Sequence, residues 1–583
     1  MLYQRLVDSY EKVIATTKRT EMTKILVDLL RETPPELVHQ MVYLTQGKLH
    51  PEFVPVEMGM AEKLAIRAVA EASGVSEEDV KASLDSTGDL GATAQDLLER
   101  TRRPPPHLSI EEVYRRLDAI ARTAGPGSVA EKVEHLAELL RQATPVEAKY
   151  IVRTATGKLR LGLADMTMLD ALAIAYGGGK SARKQIERAY TISSDLGAVA
   201  TAVAKGGLQA IRGFHIQPGK PVRPMLAQRL PSPKEILEKL GGSCRAEYKY
   251  DGERLQIHKI GDQVMLFSRR LENITHQYPD AVEWVLEGVK AHTTILDSEA
   301  VALDPETGQL LPFQQLMRRR RKYRVAEMAA EFPVFVYVFD LLYLEGVDFT
   351  PRPLPERWKT LVDTVHPSHG LQPTPGKVVN RVDELNEFFQ EALDAGCEGL
   401  VCKSLKPNSV YQAGSRGWNW IKYKREYVSE MTDTVDLVVV GALYGRGKRG
   451  GTYGALLLSV YDPKTDSFPT VTKCGTGFTD QDLAELPQRL EPYRLDHRHP
   501  RVDARMKPDV WFTPVLVIEV LGAEITQSPI HTTDWGVVAP ERGLAIRFPR
   551  FTGRYRTDKA PENATTAEEI LQMYQSRLKK VRS

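Results

Sequence analysis

The spacing of hydrophobic residues divides the chain into three parts. Over residues 1–212, apolar positions recur every three or four residues, as in α-helices with one buried face. Over 213–427, short β-branched and aromatic runs alternate with helical segments, and over 428–583 strand-like runs are separated by glycine-rich turns. We therefore predict an all-α domain, an α+β domain and a small β-barrel domain with a C-terminal helix.

Ten apolar runs are predicted to be β-strands. In the middle domain they are Leu255–Ile260, Val264–Ser268, Thr294–Leu303, Val334–Leu344, Gly399–Lys403 and Trp418–Lys424. In the last domain they are Asp436–Leu443, Ala455–Tyr461, Val515–Leu521 and Ile546–Phe551. From about Thr566 the tail predicts a basic amphipathic helix.

The helical domain contains an internal repeat. Leu29-Leu30-Arg31 recurs at residues 139–141 and Gly47-Lys48-Leu49 at residues 157–159, with the same offset each time. The repeat predicts a pseudo-two-fold domain joined by the proline-rich residues 102–106. The matched Gly-Lys-Leu turns either hold phosphates of two nucleic-acid strands or serve packing alone, and the turns themselves favour neither reading.

Composition narrows the class of protein. The 583 residues carry a net charge of only +2, so any binding of nucleic acid must use local basic patches. The four cysteines form no Cys-x-x-Cys pair, which argues against a zinc site and fits the cytoplasm. The longest apolar run is too short to span a bilayer, and so we expect no membrane association.

The strongest chemical signal is the stretch Ala246–Arg254. Lys249 lies between aromatic and acidic neighbours, and Asp251-Gly252 predicts that a strand ends there. A lysine that loses its proton in such a site attacks as a neutral amine. A single lysine of this kind is more often a surface residue, but five further elements follow it. They are Ser268-Arg269-Arg270, Asp297-Ser298-Glu299, Phe339-Asp340, Glu398-Gly399 with Lys403, and Trp420-Ile421-Lys422-Tyr423-Lys424.

Together these elements supply carboxylates for Mg²⁺, cations for phosphates and an aromatic ring for a base. Their order resembles that of the covalent nucleotidyltransferases, which include ATP-dependent DNA ligases, RNA ligases and capping enzymes. The flanking parts are similar to the ligase members, above all to archaeal ATP-dependent DNA ligases. The matching segments are Ala148–Arg153, Gly157–Gly162, Arg542–Arg550 and Asp558-Lys559. The resemblance implies that the last domain is an OB-fold and the middle one an adenylation domain.

The resemblance also implies a role for each matching residue. Lys249 would attack the α-phosphate of ATP and hold AMP through a P–N bond. Glu247 would accept a hydrogen bond from the adenine amino group, Phe339 would stack on the ring, and Glu299 would bind the ribose hydroxyls. The implied ribose and phosphate contacts are Arg254, Arg269, Arg416, Lys422 and Lys424, the Mg²⁺ carboxylates are Glu398, Asp251 and Glu299, and the residues that close over ATP are Arg547, Arg550 and Lys559.

The implied substrate is nicked double-stranded DNA, sealed in replication, repair and recombination by what we expect to be a monomer. The basic run Met317–Arg324 is interpreted as a contact to the DNA backbone. An RNA ligase or capping enzyme is the alternative, and ADP or GTP stays open as the nucleotide. A sliding clamp is an implied partner, although residues 102–108 lack the glutamine and paired aromatics of clamp-binding peptides.

Overall fold

The computed structural model describes residues 1–56, 58, 60–101, 107–304, 309–311, 313–319, 324–424, 434–445, 452–522 and 524–582. It divides into two compact units, residues 1–72 with 102–427, and residues 73–101 with 428–583. The grouping of residues 73–101 with the C-terminal part has no counterpart in the sequence pattern. The domain boundaries near 212 and 427 stay predictions.

The first 213 residues are helical, as expected from the apolar spacing. Several helices begin at a capping residue; at Thr144 the side chain accepts from the backbone N–H of Glu147, whose carboxylate accepts in return from the Thr144 N–H. The helices are α1 Tyr3–Ile14, α2 Arg19–Glu32, α3 Val38–Thr45, α4 Glu62–Ser73, α5 Glu77–Thr87, α6 Leu90–Thr101, α7 Ile110–Arg122, α8 Ser128–Gln142, α9 Pro145–Ala155, α10 Asp165–Tyr176, α11 Arg183–Ser193 and α12 Leu196–Ala210.

The two Gly-Lys-Leu turns of the predicted repeat have the same backbone conformation, while the pseudo-two-fold domain stays a prediction. Gly47 and Gly157 both adopt a positive φ, 71° and 65°. The next amide bonds back in the same way in each copy: the Lys48 N–H donates to the Tyr43 carbonyl at 3.0 Å and the Lys158 N–H to the Arg153 carbonyl at 2.8 Å. Equivalent residues therefore end equivalent helices. The proline-rich joint at 102–106 lies outside the described residues.

Residues 226–424 form two β-sheets with helices between their strands. The elements are β1 Leu226–Arg229, α13 Pro233–Leu240, β2 Cys244–Lys249, β3 Glu253–Ile260, β4 Gln263–Ser268, α14 Pro279–Gly288, β5 Thr293–Ala302, α15 Phe313–Leu316, α16 Val325–Glu331, β6 Val334–Leu344, β7 Val347–Asp348, α17 Leu354–Thr364, β8 Leu371–Pro373, β9 Gly376–Val379, α18 Val382–Asp394, β10 Gly399–Ser404 and β11 Arg416–Lys424. All six predicted strands of this part are present, with ends shifted by at most two residues.

One sheet has the strand order β1-β11-β10-β2-β9, and the other has β4-β3-β5-β6-β7 with β8 beside β6. Each sheet has its own apolar core, built on Leu255, Leu296 and Val336 in the second sheet and on Ala246 and Leu400 in the first. Motifs that lie far apart in the sequence therefore occupy neighbouring strands.

The second unit contains a curled eight-stranded sheet of order β15-β17-β12-β13-β14-β16, with β18 pairing with β12 and β21, and a β19–β20 ribbon. Its elements after residue 428 are β12 Val435–Tyr444, β13 Tyr453–Ser459, β14 Phe468–Cys474, α19 Asp480–Leu490, β15 Arg494–Leu495, β16 Val502–Asp503, β17 Val510–Phe512, β18 Val517–Leu521, β19 Glu524–Ser528, β20 Gly543–Arg547, β21 Arg550–Tyr555 and α20 Ala567–Arg582. The C-terminal helix is where the sequence predicts it. The glycine-rich basic sequence between β12 and β13, which the sequence pattern favours equally as a phosphate-binding loop or as a solvated hairpin tip, lies at 446–451, outside the described residues.

The strand predicted at Ile546–Phe551 is wrong as a single element. β20 ends at Arg547, Phe548 adopts a φ of 51°, and β21 begins at Arg550. Pro549 cannot donate a ladder hydrogen bond and sits at the turn. The run therefore splits between the ribbon and the curled sheet.

The interpretation of the basic run Met317–Arg324 as a DNA contact is wrong for Arg319. This side chain is buried, and it donates to both carboxylate oxygens of Asp280, at 2.6 and 2.8 Å, and to the carbonyls of Gln277 and Phe332. It ties the segment to α14 and cannot reach a ligand. Residues 320–323 lie outside the described residues.

Among the described residues, no helix is long and apolar enough to cross a membrane. The four cysteines, all within the described ranges, are buried and unbridged.

Candidate active site

A cleft of about 550 Å³ lies where the two sheets of the α+β segment meet. Strands of both sheets line it, together with the loop after β2. The lining includes eleven of the residues named from the sequence: Glu247, Lys249, Asp251, Arg254, Arg269, Glu299, Phe339, Glu398, Arg416, Lys422 and Lys424. The structure therefore brings most of the candidate residues together.

Lys249 is the last residue of β2, and its position is set by the sheet. Its carbonyl accepts from the Glu398 N–H at 2.9 Å, so the two backbones are joined at the strand ends. A Cβ at Gly252 would lie 2.2 Å from the Ala300 carbonyl oxygen, which explains why glycine follows Asp251. The candidate nucleophile Lys249 is thus followed directly by a tight turn, in which only glycine fits at residue 252.

Glu398 lies between two lysines. Its Oε2 atom is 2.7 Å from Lys249 Nζ and 2.8 Å from Lys424 Nζ. The direct ion-pair partner of Lys249 is therefore a carboxylate. The Glu398 carboxylate thus bridges the two lysines.

The cleft also gathers positive charge. Burial, followed by the neighbouring charges of Lys424, Lys249, Arg416 and Arg269, lowers the pKa of Lys422. Like charges lower the pKa of a lysine because they disfavour its charged form, and a bound anion would relieve this repulsion. A polyphosphate would supply that anion.

Glu247 is held at both carboxylate oxygens. Arg245 Nε donates to Oε1 at 2.8 Å, and Lys403 Nζ lies 2.6 Å from Oε2. Lys403 also donates to the Phe339 carbonyl at 2.7 Å. The residue expected at the adenine edge and the ring expected on its face are therefore linked by one buried lysine.

Arg254 points into a buried network. It makes two bonds to Asp297, at 2.9 and 2.6 Å, and one to the Met225 carbonyl at 2.8 Å. Tyr411 OH donates to the same Asp297 carboxylate at 2.8 Å. Sequence reasoning missed Tyr411 and Met225, because neither stands in a recognisable motif.

Glu299 is partly buried opposite Arg254 on the neighbouring strand. Burial raises its pKa to about 7, although Lys249 and Arg254 act in the opposite direction. A carboxyl that titrates near neutrality in a cleft is typical of functional sites.

The carboxylates fit a magnesium ion that arrives with phosphates. Among the described residues, no group of three or more His, Cys, Asp or Glu side chains could hold a metal ion by itself. Mg²⁺ in phosphoryl-transfer sites keeps several waters and uses one or two carboxylates plus substrate phosphates. Glu398, Asp251 and Glu299 line the cleft and supply that limited donor set.

Three of the predicted cofactor-binding residues belong to the second unit. Arg547 is exposed at the end of β20, and Arg550 is exposed at the start of β21. Lys559 Nζ lies 2.6 Å from Asp436 Oδ2, which also accepts from Arg556. Their contact with a nucleotide stays a prediction.

The Gly-Lys-Leu turns line a separate cavity of about 350 Å³. Lys48 pairs with Glu52 at 2.8 Å and Lys158 with Glu62 at 2.5 Å. Their proposed contact with phosphates stays a prediction.

Comparison with known proteins decides the family. A model of the ATP dependent DNA ligase domain matches residues 224–424, a DNA ligase N terminus model residues 2–173, and an ATP dependent DNA ligase C terminal region model residues 449–559. "DNA ligase 2" of Thermofilum pendens is 53% identical over 99% of this chain and 98% of its own. The chain belongs to the ATP-dependent DNA ligase family.

A second ligase relative, "Probable DNA ligase" of Aquifex aeolicus, is 50% identical over 100% of both chains. The solved structure named "Pmar-Lig_PreS3" matches with a TM-score of 0.55 over 94% of this chain and 99% of that one, at 16% identity. This match bears on the fold alone. The expected three-part ligase architecture, helical, adenylation and OB-fold-like, is thereby confirmed.

Proposed function

We propose that this chain seals nicks in double-stranded DNA with ATP, through a lysyl-AMP and a DNA-adenylate. The observation that carries the proposal is Lys249 at the end of β2, facing Glu398 in a cleft lined by Arg269, Arg416 and Lys422. Phosphoryl transfer needs in-line positioning and neutralised charge more than it needs covalent chemistry from the protein, and this arrangement offers both.

The proposed first step forms a bond between Lys249 Nζ and the α-phosphorus of ATP, and it breaks the bond to the leaving pyrophosphate. The cations of the cleft would hold the phosphates in line, with Lys422 and Lys424 nearest to the nucleophile. Glu398, with Asp251 and Glu299, would hold Mg²⁺. When bound, Mg²⁺ neutralises phosphate charge. Lys424 stays beside Glu398 and keeps that carboxylate oriented.

The proposed nucleoside contacts use further side chains of the same cleft, and Glu299 takes part in both sets. Glu247 would accept from the adenine amino group, Phe339 would stack on the ring, and Glu299 would bind ribose. Arg254 would contribute one remaining N–H to ribose or phosphate, because Asp297 and the Met225 carbonyl already accept from its other side.

In the later steps AMP would pass to the 5′-phosphate of a nick, and the 3′-hydroxyl would then displace it. Arg547, Arg550 and Lys559 would serve the first step only. The proposal includes a monomeric cytoplasmic enzyme acting in replication, repair and recombination. A clamp partner is also part of it, although residues 102–106 of the candidate segment lie outside the described residues.

The test is incubation with α-³²P-ATP and Mg²⁺, followed by a denaturing gel. Wild type should retain acid-labile label, and Lys249→Ala should retain none. Lys359→Ala, an exposed lysine on α17, is the matched control and should label like wild type. Nicked duplex DNA should then discharge the label, whereas discharge by RNA ends alone would favour an RNA ligase. No label with wild type would refute the proposal.

A further inference from the structure

The carboxylate of Glu247 is oriented before any nucleotide binds. Arg245 and Glu247 are two residues apart on β2, and Lys403 on β10 is the register partner of Arg245. Alternate residues and cross-strand partners share one face of a sheet, so all three side chains project together. Glu247 and Lys403 are each 1% exposed. A carboxylate held by two cations acts as a hydrogen-bond acceptor in one fixed orientation.

The two cations that hold Glu247 differ in their position relative to the cleft. Lys403 lines the cleft itself, 5.0 Å from the centre of the Phe339 ring. Arg245 is not among the residues that line the cleft. A change at Arg245 therefore reaches a bound nucleotide only through Glu247.

An aromatic ring stacks on the guanidinium group of Arg245 and thereby clamps it. The Arg245 guanidinium carbon lies 3.4 Å from the centre of the Trp358 ring, on α17. Trp358 packs against the apolar core of the six-stranded sheet, whereas Arg245 belongs to the five-stranded sheet. Stacking on the indole at this distance fixes the orientation of the planar guanidinium group. The ammonium group of a lysine has no plane that stacking could fix. Trp358, which packs on the six-stranded sheet, therefore restrains Arg245 and through it the orientation of Glu247 in the five-stranded sheet.

We propose that Arg245, clamped by Trp358, is a positioning residue that sets the choice of purine. Arg245 orients the Glu247 carboxylate so that a free lone pair of Oε2 accepts a hydrogen bond from a donor at position 6 of the base. Adenine carries an amino donor there, whereas 6-oxo purines carry an acceptor that the carboxylate repels. This inference rests on the proposed contact between Glu247 and adenine.

The experiment measures the rate of covalent labelling against nucleotide concentration for three triphosphates. These are ATP, inosine triphosphate with a 6-oxo group, and purine riboside triphosphate with hydrogen at position 6. Wild type should prefer ATP to both. Arg245→Met should raise the KM for ATP about tenfold with little change in kcat, as expected for a misplaced hydrogen bond to a charged group. The KM for purine riboside triphosphate should change less than twofold.

Two further variants separate the parts of the device. Trp358→Leu keeps the arginine and removes its clamp, so it should lose several-fold in ATP preference. Arg245→Lys keeps the charge without the planar fork, and should recover part of the preference lost in Arg245→Met. The matched control is Arg381→Met, an exposed arginine in the same segment, which should behave like wild type.

A structural role would weaken all three nucleotides equally, and this result would overturn the proposal, as would an unchanged ATP preference in Arg245→Met. If wild type labels with ATP but treats ATP and purine riboside triphosphate alike, the adenine contact fails and the inference fails with it. Absence of label with ATP is a different result, which refutes the proposed function itself.

Discussion

Glu299 lowers the stability of the folded chain at neutral and alkaline pH. Burial raises its pKa from 4.5 to about 7. Between these two values the folded chain keeps a proton that the unfolded chain has lost, so stability falls as the pH rises through this window and stays lower above it. At about 1.4 kcal/mol for each tenfold change in proton affinity, the cost above pH 7 is about 3 kcal/mol.

Glu299→Gln should therefore stabilise the α+β segment at pH 8 and leave its stability nearly unchanged at pH 4.5. For a segment of this size, each kcal/mol moves the melting temperature by about 2–4 °C, so we expect a gain of about 6–12 °C at pH 8. Scanning calorimetry at pH values from about 4 to 9 measures the melting temperature of both proteins. The control is Glu283→Gln, an exposed residue on α14, which should follow the wild type at every pH.

The same variant should label poorly with ATP, because the amide places a donor where ribose hydroxyls need an acceptor. Greater stability with lower activity is the expected signature of a strained functional group. A difference in melting temperature between wild type and Glu299→Gln that stays the same from pH 5 to 9 would refute the reasoning.

Three further outcomes follow from single contacts. Lys249→Arg should retain no covalent AMP on a denaturing gel, because a guanidinium stays protonated and cannot attack; measurable label would contradict the mechanism. Arg357→Ala should lower the free energy of unfolding, measured by chemical denaturation, by about 3–5 kcal/mol, because it leaves the fully buried Asp340 carboxylate without its bidentate partner. A midpoint equal to that of wild type would contradict this. Gly399→Ala should slow labelling severely, since its φ is 142° and a Cβ would lie 2.2 Å from the Tyr423 carbonyl oxygen; normal labelling would show that β10 adjusts freely.

The strands and the motif residues were the part of the molecule that the sequence predicted well. Val334–Leu344 has the same bounds in pattern and structure, because a long run rich in β-branched and aromatic residues strongly favours a strand, even with Asp340 inside it. The split at Phe548 has one local signal, Pro549 within the predicted run, which argues against a continuous strand, whereas the positive φ of Phe548 has none.

Contacts over long distances in the chain were the part that could not be predicted. The basic run around Arg319 reads as a surface patch until Asp280, on another element, is placed beside it. Likewise, nothing around Tyr411 indicates that its hydroxyl supports Asp297 and hence Arg254. Local patterns predict which residues a strand carries, whereas the partner of a buried charge depends on topology.

The backbone link between Lys249 and the strand that follows Glu398 also bears on how the chain folds. Residues 249 and 399 are register partners in neighbouring strands, although most of the α+β segment lies between them in the sequence. Such non-local pairing forms slowly, because the intervening chain has to be closed into a loop first. A nascent chain that ends before residue 404 carries Lys249 without its complete neighbouring strand. On the proposed mechanism, covalent labelling with ATP should therefore begin only once this strand pairing is complete.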